Sequence, residues 1–272
     1  IFISDTYCFY GLTSLALITW WSKIKQLENI NYKKLILLFL FTGLIISFSN
    51  TVRGNSGDDV LISILIITIF LTVKDKKKFR IISIFIIFIP IFLVNFQIND
   101  LKNKARNYLM KNEETVERFD LNFVRATWHN AYYSLGYLSI DNKDVPIPSD
   151  TFSVKKAQEI NPKVKVYSAE YEKILKNEYF KFVKKYPFLF IQILASKAGV
   201  IFLYFLIFFN IGIYYLFKYR IRTDTFSFFI PGIIFNSSFG IATEPNYTYL
   251  LGLFAYSSLF ATKLIEDKYS KF

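Results

Sequence analysis

Chemistry that relies on thiols or imidazole clusters has almost nothing to work with in this chain, which carries one cysteine, Cys8, and one histidine, His129. A single thiol excludes an internal disulfide, and one Cys with one His excludes a Cys/His metal cluster. The sequence points to no particular cofactor, and any metal here would be a divalent cation with carboxylate ligands. Charge is scarce too: 20% of the 272 residues are charged, against 53% hydrophobic and 19% aromatic. That balance excludes a disordered chain and an ordinary soluble domain. No Gly-x-x-x-x-Gly-Lys loop is present, so a nucleotide P-loop is excluded. At the start, no basic, apolar and small-residue stretches follow one another as a cleavable signal would require.

What the chain does have is long apolar runs. They cover residues 3–21, 35–52, 60–73, 81–96, 198–217, 226–242 and 247–264, against the roughly 20 residues needed to cross a bilayer. The shortest, 60–73, reads either as a span lengthened by snorkelling basic residues or as a re-entrant or core helix. The fold expected is all-α, a polytopic transmembrane bundle of about seven spans with a mostly helical extracytoplasmic segment. It divides into a four-helix membrane region at 1–96, the outer segment at 97–197, and three further helices with a tail at 198–272.

Basic residues set the orientation. Lys23, Lys25, Lys33 and Lys34 follow the first run, Lys74 to Arg80 the third, Lys218 to Arg222 the fifth, and Lys263 to Lys271 close the chain. Seven crossings put all four segments on one side, the cytoplasmic one, and leave 97–197 outside and the C-terminus inside. The net charge of +12 therefore points to the membrane surface and not to nucleic acid. With Ile1 outside, an odd number of further spans is expected upstream. Heavy use of Lys, Asn, Ile, Phe and Tyr suggests an AT-rich bacterial genome, hence an integral protein of the bacterial cytoplasmic membrane.

Within the outer segment, 101–118 is rich in helix formers, 141–150 (DNKDVPIPSD) reads as a turn, and Pro162 marks a break. Ser168 caps a helix with Glu170 and Glu172 in its first turn and apolar Tyr171, Ile174, Leu175, Tyr179, Phe182 and Val183 on one face, ended by Pro187. The other face carries Lys173, Lys176, Lys181, Lys184 and Lys185. It reads either as an outer-leaflet helix that attracts anionic lipid or as a packed juxtamembrane helix with a solvated lysine face.

Three clusters are candidates for chemistry. In Arg125–Leu138 (RATWHNAYYSLGYL), rings and hydrogen-bonding groups suit a sugar, with Arg125, Trp128, Asn130 and Tyr132 as binding residues and His129 as general acid or base. Alternatively the stretch is an aromatic membrane-interface segment with a hydrogen-bonded histidine. At Arg53–Asp59 (RGNSGDD), Arg53 and the glycines suit a phosphate, while Asp58 and Asp59 suit a cation or a base. The bland reading is a polar turn with Asp59 at a helix N-terminus. Glu244, in the last outer turn, either joins the same cavity or is a solvated tip. The sequons at Asn236 and Asn246 are expected to be unmodified, one lying in a span and the other beside it. No charge falls in mid-span in this reading, which counts against an ion-coupled transporter.

The RGNSG turn at Arg53–Gly57, WHNAYY at Trp128–Tyr133, KKYP at Lys184–Pro187 and PNY at Pro245–Tyr247 together resemble the later portion of bacterial multi-spanning glycosyltransferases of the C-type fold and related polysaccharide-assembly membrane proteins, over residues 35 to 262. The resemblance implies a polyprenyl-phosphate sugar as donor at the outer face. Members of that fold carry their catalytic acid in the first outer loop near the N-terminus. Asp5 lacks the surrounding sequence, so the resemblance leaves the catalytic residue unassigned, with His129, Asp58 and Asp59 as candidates. The alternative function is a non-enzymatic membrane subunit that binds lipid or a protein partner. Oligomeric state is not legible.

Overall fold

The computed structural model describes residues 13–15, 20, 32–52, 56–71, 77–112, 127–140, 145–218 and 223–269, and these contain helices, turns and no strand. The helices in chain order are α1 (Tyr32–Val52), α2 (Asp58–Leu71), α3 (Lys77–Asn112), α4 (Thr127–Tyr133), α5 (Asp150–Ile160), α6 (Ala169–Lys185), α7 (Pro187–Phe208), α8 (Asn210–Lys218), α9 (Thr223–Ala242) and α10 (Leu251–Tyr269). The chain divides into two compact units. One comprises 1–100, 201–238 and 246–272, the other 101–200 and 239–245.

Among the described residues, four helices are long and apolar enough to cross a membrane: Lys33–Val52, Phe85–Ala105, Pro187–Phe208 and Thr225–Ala242. The run expected at 3–21 lies almost wholly outside the described residues. Residues 60–71 of the run at 60–73 fall in α2, whose 14 residues give about 21 Å of helix at 1.5 Å per residue, short of the roughly 30 Å core. The fifth run differs most. In place of one span at 198–217 there are two helices, α7 and α8, parted at Phe209, and α7 starts at Pro187.

In the first unit, α1 explains its own packing. Leu35, Phe39, Thr42 and Ile46 recur at intervals of four and three and are buried, whereas Leu37, Phe41, Leu44 and Phe48 are at least half exposed. One helical stripe faces protein and the other presents bare hydrocarbon, a pattern compatible with lipid. Small residues let the helices approach closely, as membrane helices commonly do. A Cβ on Gly43 would sit 2.5 Å from the Ile87 carbonyl, one on Gly232 2.0 Å from the Tyr256 ring, and one on Gly252 1.9 Å from Asn236 Oδ1.

The second unit is built on α4, α5 and α6. Tyr132, Leu135, Val145, Ala157, Val164, Tyr171, Leu175, Phe182 and Ile193 form its core. Ser168 caps α6 as its position predicts, its hydroxyl accepting from the Tyr171 N–H at 3.1 Å. The apolar stripe of α6 enters this core, with Tyr171 and Leu175 fully buried. The apolar stripe of this helix is therefore spent inside the second unit, and its lysine face is exposed.

Candidate functional site

The WHNAYY stretch folds as α4 followed by a 3₁₀ turn at Ser134–Gly136, which buries His129 and Tyr132. A seven-residue helix leaves most of its backbone N–H groups without intrahelical partners. Here a carboxylate from another helix supplies the acceptor: Glu172 of α6 takes the N–H groups of Trp128 at 2.6 Å and His129 at 3.2 Å. Burial raises the Glu172 carboxyl above its ordinary value, and those backbone hydrogen bonds pull it back down.

His129 is held at both ring nitrogens. Nδ1 lies 2.5 Å from the Tyr171 hydroxyl and Nε2 lies 3.1 Å from Asp150 Oδ1. A carboxylate offers only acceptors, so Nε2 carries a proton and donates to Asp150. Burial raises the Tyr171 hydroxyl well above the usual range for tyrosine. It therefore keeps its proton, which in the neutral imidazole goes to Nδ1. Tyr167, at φ 62, places its ring 5.3 Å from His129, a left-handed backbone that a bulky residue adopts only when its surroundings enforce it.

The polarity of this chain of groups matters. The His129 side chain is 2% exposed and the Asp150 side chain 75%. Asp150 opens α5, where the helix dipole favours an acid, and presents an exposed carboxylate that is oriented from behind by a buried imidazole. Glu244 lies within electrostatic reach: burial raises its carboxyl, Asp150 raises it further, and Lys197 lowers it. Lys197 is 2% exposed and donates to Ser134 Oγ at 3.1 Å and to the Ile241 carbonyl at 3.3 Å. Ile241 belongs to the last turn of α9, where carbonyls lack helical partners and a cation is favoured. Lys197 also lies near the middle of the 22-residue α7. The expectation that no charge sits in mid-span is thus corrected for this candidate span, because α7 starts at Pro187, eleven residues before the run read from hydropathy.

The other candidates fall as follows. Arg53 and Arg125 lie outside the described residues. Trp128 is half-buried against Tyr179 and Phe180, with the Lys176 ammonium 5.3 Å above its ring. Tyr132 is 5% exposed and stacks on Phe152, and Asn130 is half-buried. Asp58 and Asp59 belong to the first unit. Asp58 accepts from Asn50 Nδ2 at 2.8 Å, while the buried Asp59 accepts from Asn236 Nδ2 at 2.9 Å and from Ser14 at 3.4 Å. Among the described residues, no three His, Cys, Asp or Glu side chains converge as a metal-ligand set.

Sequence reasoning missed Asp150, Tyr171, Glu172 and Lys197 as members of the site. Asp150 stood in a stretch read as a turn, Tyr171 and Glu172 in a helix read for its faces, and Lys197 at a boundary. In comparison with known proteins, no family model, no curated protein and no solved structure matches the chain.

Proposed function

We propose that the chain is a membrane-embedded glycosyltransferase-like protein that acts on a polyprenyl-phosphate-linked sugar at the outer face of the bacterial cytoplasmic membrane. The observation that carries this reading is the exposed Asp150 carboxylate, held at 3.1 Å by the buried His129. A base of that kind takes the proton of an acceptor hydroxyl as its oxygen bonds to the sugar's anomeric carbon. The bond from that carbon to the phosphate oxygen breaks, and polyprenyl phosphate leaves. His129 acts as a positioning residue, and Glu244 is the second carboxyl of the site. In this topology the four long apolar helices are joined by the runs at 3–21, 60–73 and 247–264 to make seven crossings. The second unit faces outward and the C-terminus lies in the cytoplasm.

A second reading, a non-enzymatic membrane subunit, is favoured by one observation: His129 and Tyr132 are built into a core, so the aromatic segment is not an open sugar platform. Protection of Asp150 distinguishes the two. The full chain in proteoliposomes is treated with a water-soluble carbodiimide and an amine, and modification of Asp150 is read by mass spectrometry. Added polyprenyl-phosphate sugar slows that modification if Asp150 lines the donor site. Equal modification with and without the donor removes the enzyme reading.

A further inference from the structure

The lysine face of α6 has no place in the reaction above, and it is independent of that reading. Lys173, Lys176, Lys181, Lys184 and Lys185 are all exposed, while the opposite stripe of Tyr171, Leu175 and Phe182 is committed to the core. Since the apolar stripe is already occupied, what the helix offers an external surface is chiefly its lysines, with Phe180 45% exposed beside them. Three acids on this helix offset part of them: Glu172 is buried, Glu170 accepts from Asn161 at 2.9 Å, and Glu178 pairs with Lys181 at 2.6 Å.

The direction of the chain says what that surface is. One residue, Tyr186, separates α6 from α7, the 22-residue candidate span of mean hydropathy 2.0. At the entry to α7, Phe188 is 82% exposed and Ile191 60% exposed, which leaves bare hydrocarbon on the first turns of that helix. Lys181, Lys184 and Lys185 lie six, three and two residues before Pro187, and within α6 they span about 6 Å at its last turn. The Debye length at physiological salt is about 8 Å, so these ammonium groups feel the head groups of the leaflet that α7 enters.

We propose that the lysine face of α6 docks electrostatically on a bilayer surface of anionic phospholipid, seating the second unit against the membrane. The partner is a lipid surface because five exposed lysines outnumber the acids beside them, and the face is joined through Tyr186 to a helix long and apolar enough to cross a membrane. Anionic head groups concentrate opposite charge in that location.

The test uses the full chain in nanodiscs, with Cys8→Ser and Asn177→Cys carrying a spin label. Asn177 lies four residues from both Lys173 and Lys181 and therefore shares their face. Collision with a water-soluble paramagnetic quencher is compared in discs of phosphatidylcholine alone and of phosphatidylcholine mixed with phosphatidylglycerol. The expected result is a several-fold lower collision rate in the anionic discs, reversed by high salt and by Lys181→Gln, Lys184→Gln and Lys185→Gln together. Circular dichroism of that triple variant checks that it remains folded. Equal rates in neutral and anionic discs overturn the proposal. So does protection that persists in detergent or in high salt, since that identifies a protein partner or an apolar contact instead.

Discussion

His129 and Asp150 are joined by a 3.1 Å hydrogen bond between a side chain 2% exposed and one 75% exposed. An imidazole so enclosed meets no substrate itself. Its consequence is orientation of the carboxylate, and the two residues are expected to respond differently to substitution. In the proposed reaction Asp150 is the base, and Asp150→Asn should lower transfer by about 10² to 10⁴-fold. His129→Gln keeps a donor near Asp150 and should cost far less in rate while lowering thermal stability. Parallel rate and melting measurements on both variants check this, and equal rate losses would contradict the division of roles.

Glu172 is the acceptor that α4 depends on. Replacing it with alanine leaves the Trp128 and His129 N–H groups unsatisfied in a buried place, at a cost of about 1–3 kcal/mol each. Hydrogen exchange at those two amides should accelerate in Glu172→Ala before the rest of the second unit changes. Unaltered protection there would mean that another group caps the helix.

Stability should also depend on pH in a definite direction. Glu172 and Glu244 both have carboxyls raised above their ordinary value of 4.5, chiefly by burial. A raised carboxyl binds its proton more tightly when folded, so its stabilising contribution is complete below pH 4.5 and is lost as pH rises through the folded value. Each such group contributes a slope of at most about 1.4 kcal/mol per pH unit. Glu244→Gln should flatten the decline, whereas Lys197→Met, which removes the neighbouring cation, should steepen it. Melting curves from acid to neutral pH decide, and a rise in stability over that interval would contradict the sign.

In the first unit, the close approach of α9 and α10 rests on glycine. A methyl group at Gly232 or Gly252 would meet Tyr256 or Asn236 at 2.0 or 1.9 Å. Gly232→Ala and Gly252→Ala should therefore each destabilise by about 1–3 kcal/mol through overpacking. Melting of the detergent-solubilised protein reads this directly, and neutral substitutions would show that the two helices can part.

What could be read in the sequence follows from the range of the forces involved. The cap at Ser168, the buried stripe of α6 and the stop at Pro187 are local features, set by residues within a turn or two of each other, and all three were legible. His129 was singled out as unusual, but its partners Asp150 and Tyr171 lie 21 and 42 residues away, and no periodicity links them. Lys197 misled for a different reason. Hydropathy treats an ammonium as a break in an apolar run, whereas Ser134 and the Ile241 carbonyl accept its protons and let the helix run through.

The most direct measurement is turnover of a polyprenyl-phosphate sugar by the full chain in proteoliposomes, followed as release of polyprenyl phosphate, with Asp150→Asn beside the unaltered protein. The account predicts measurable turnover that falls at least about hundredfold in the folded variant. Equal turnover in both, or none in the unaltered protein with any such donor, would contradict it.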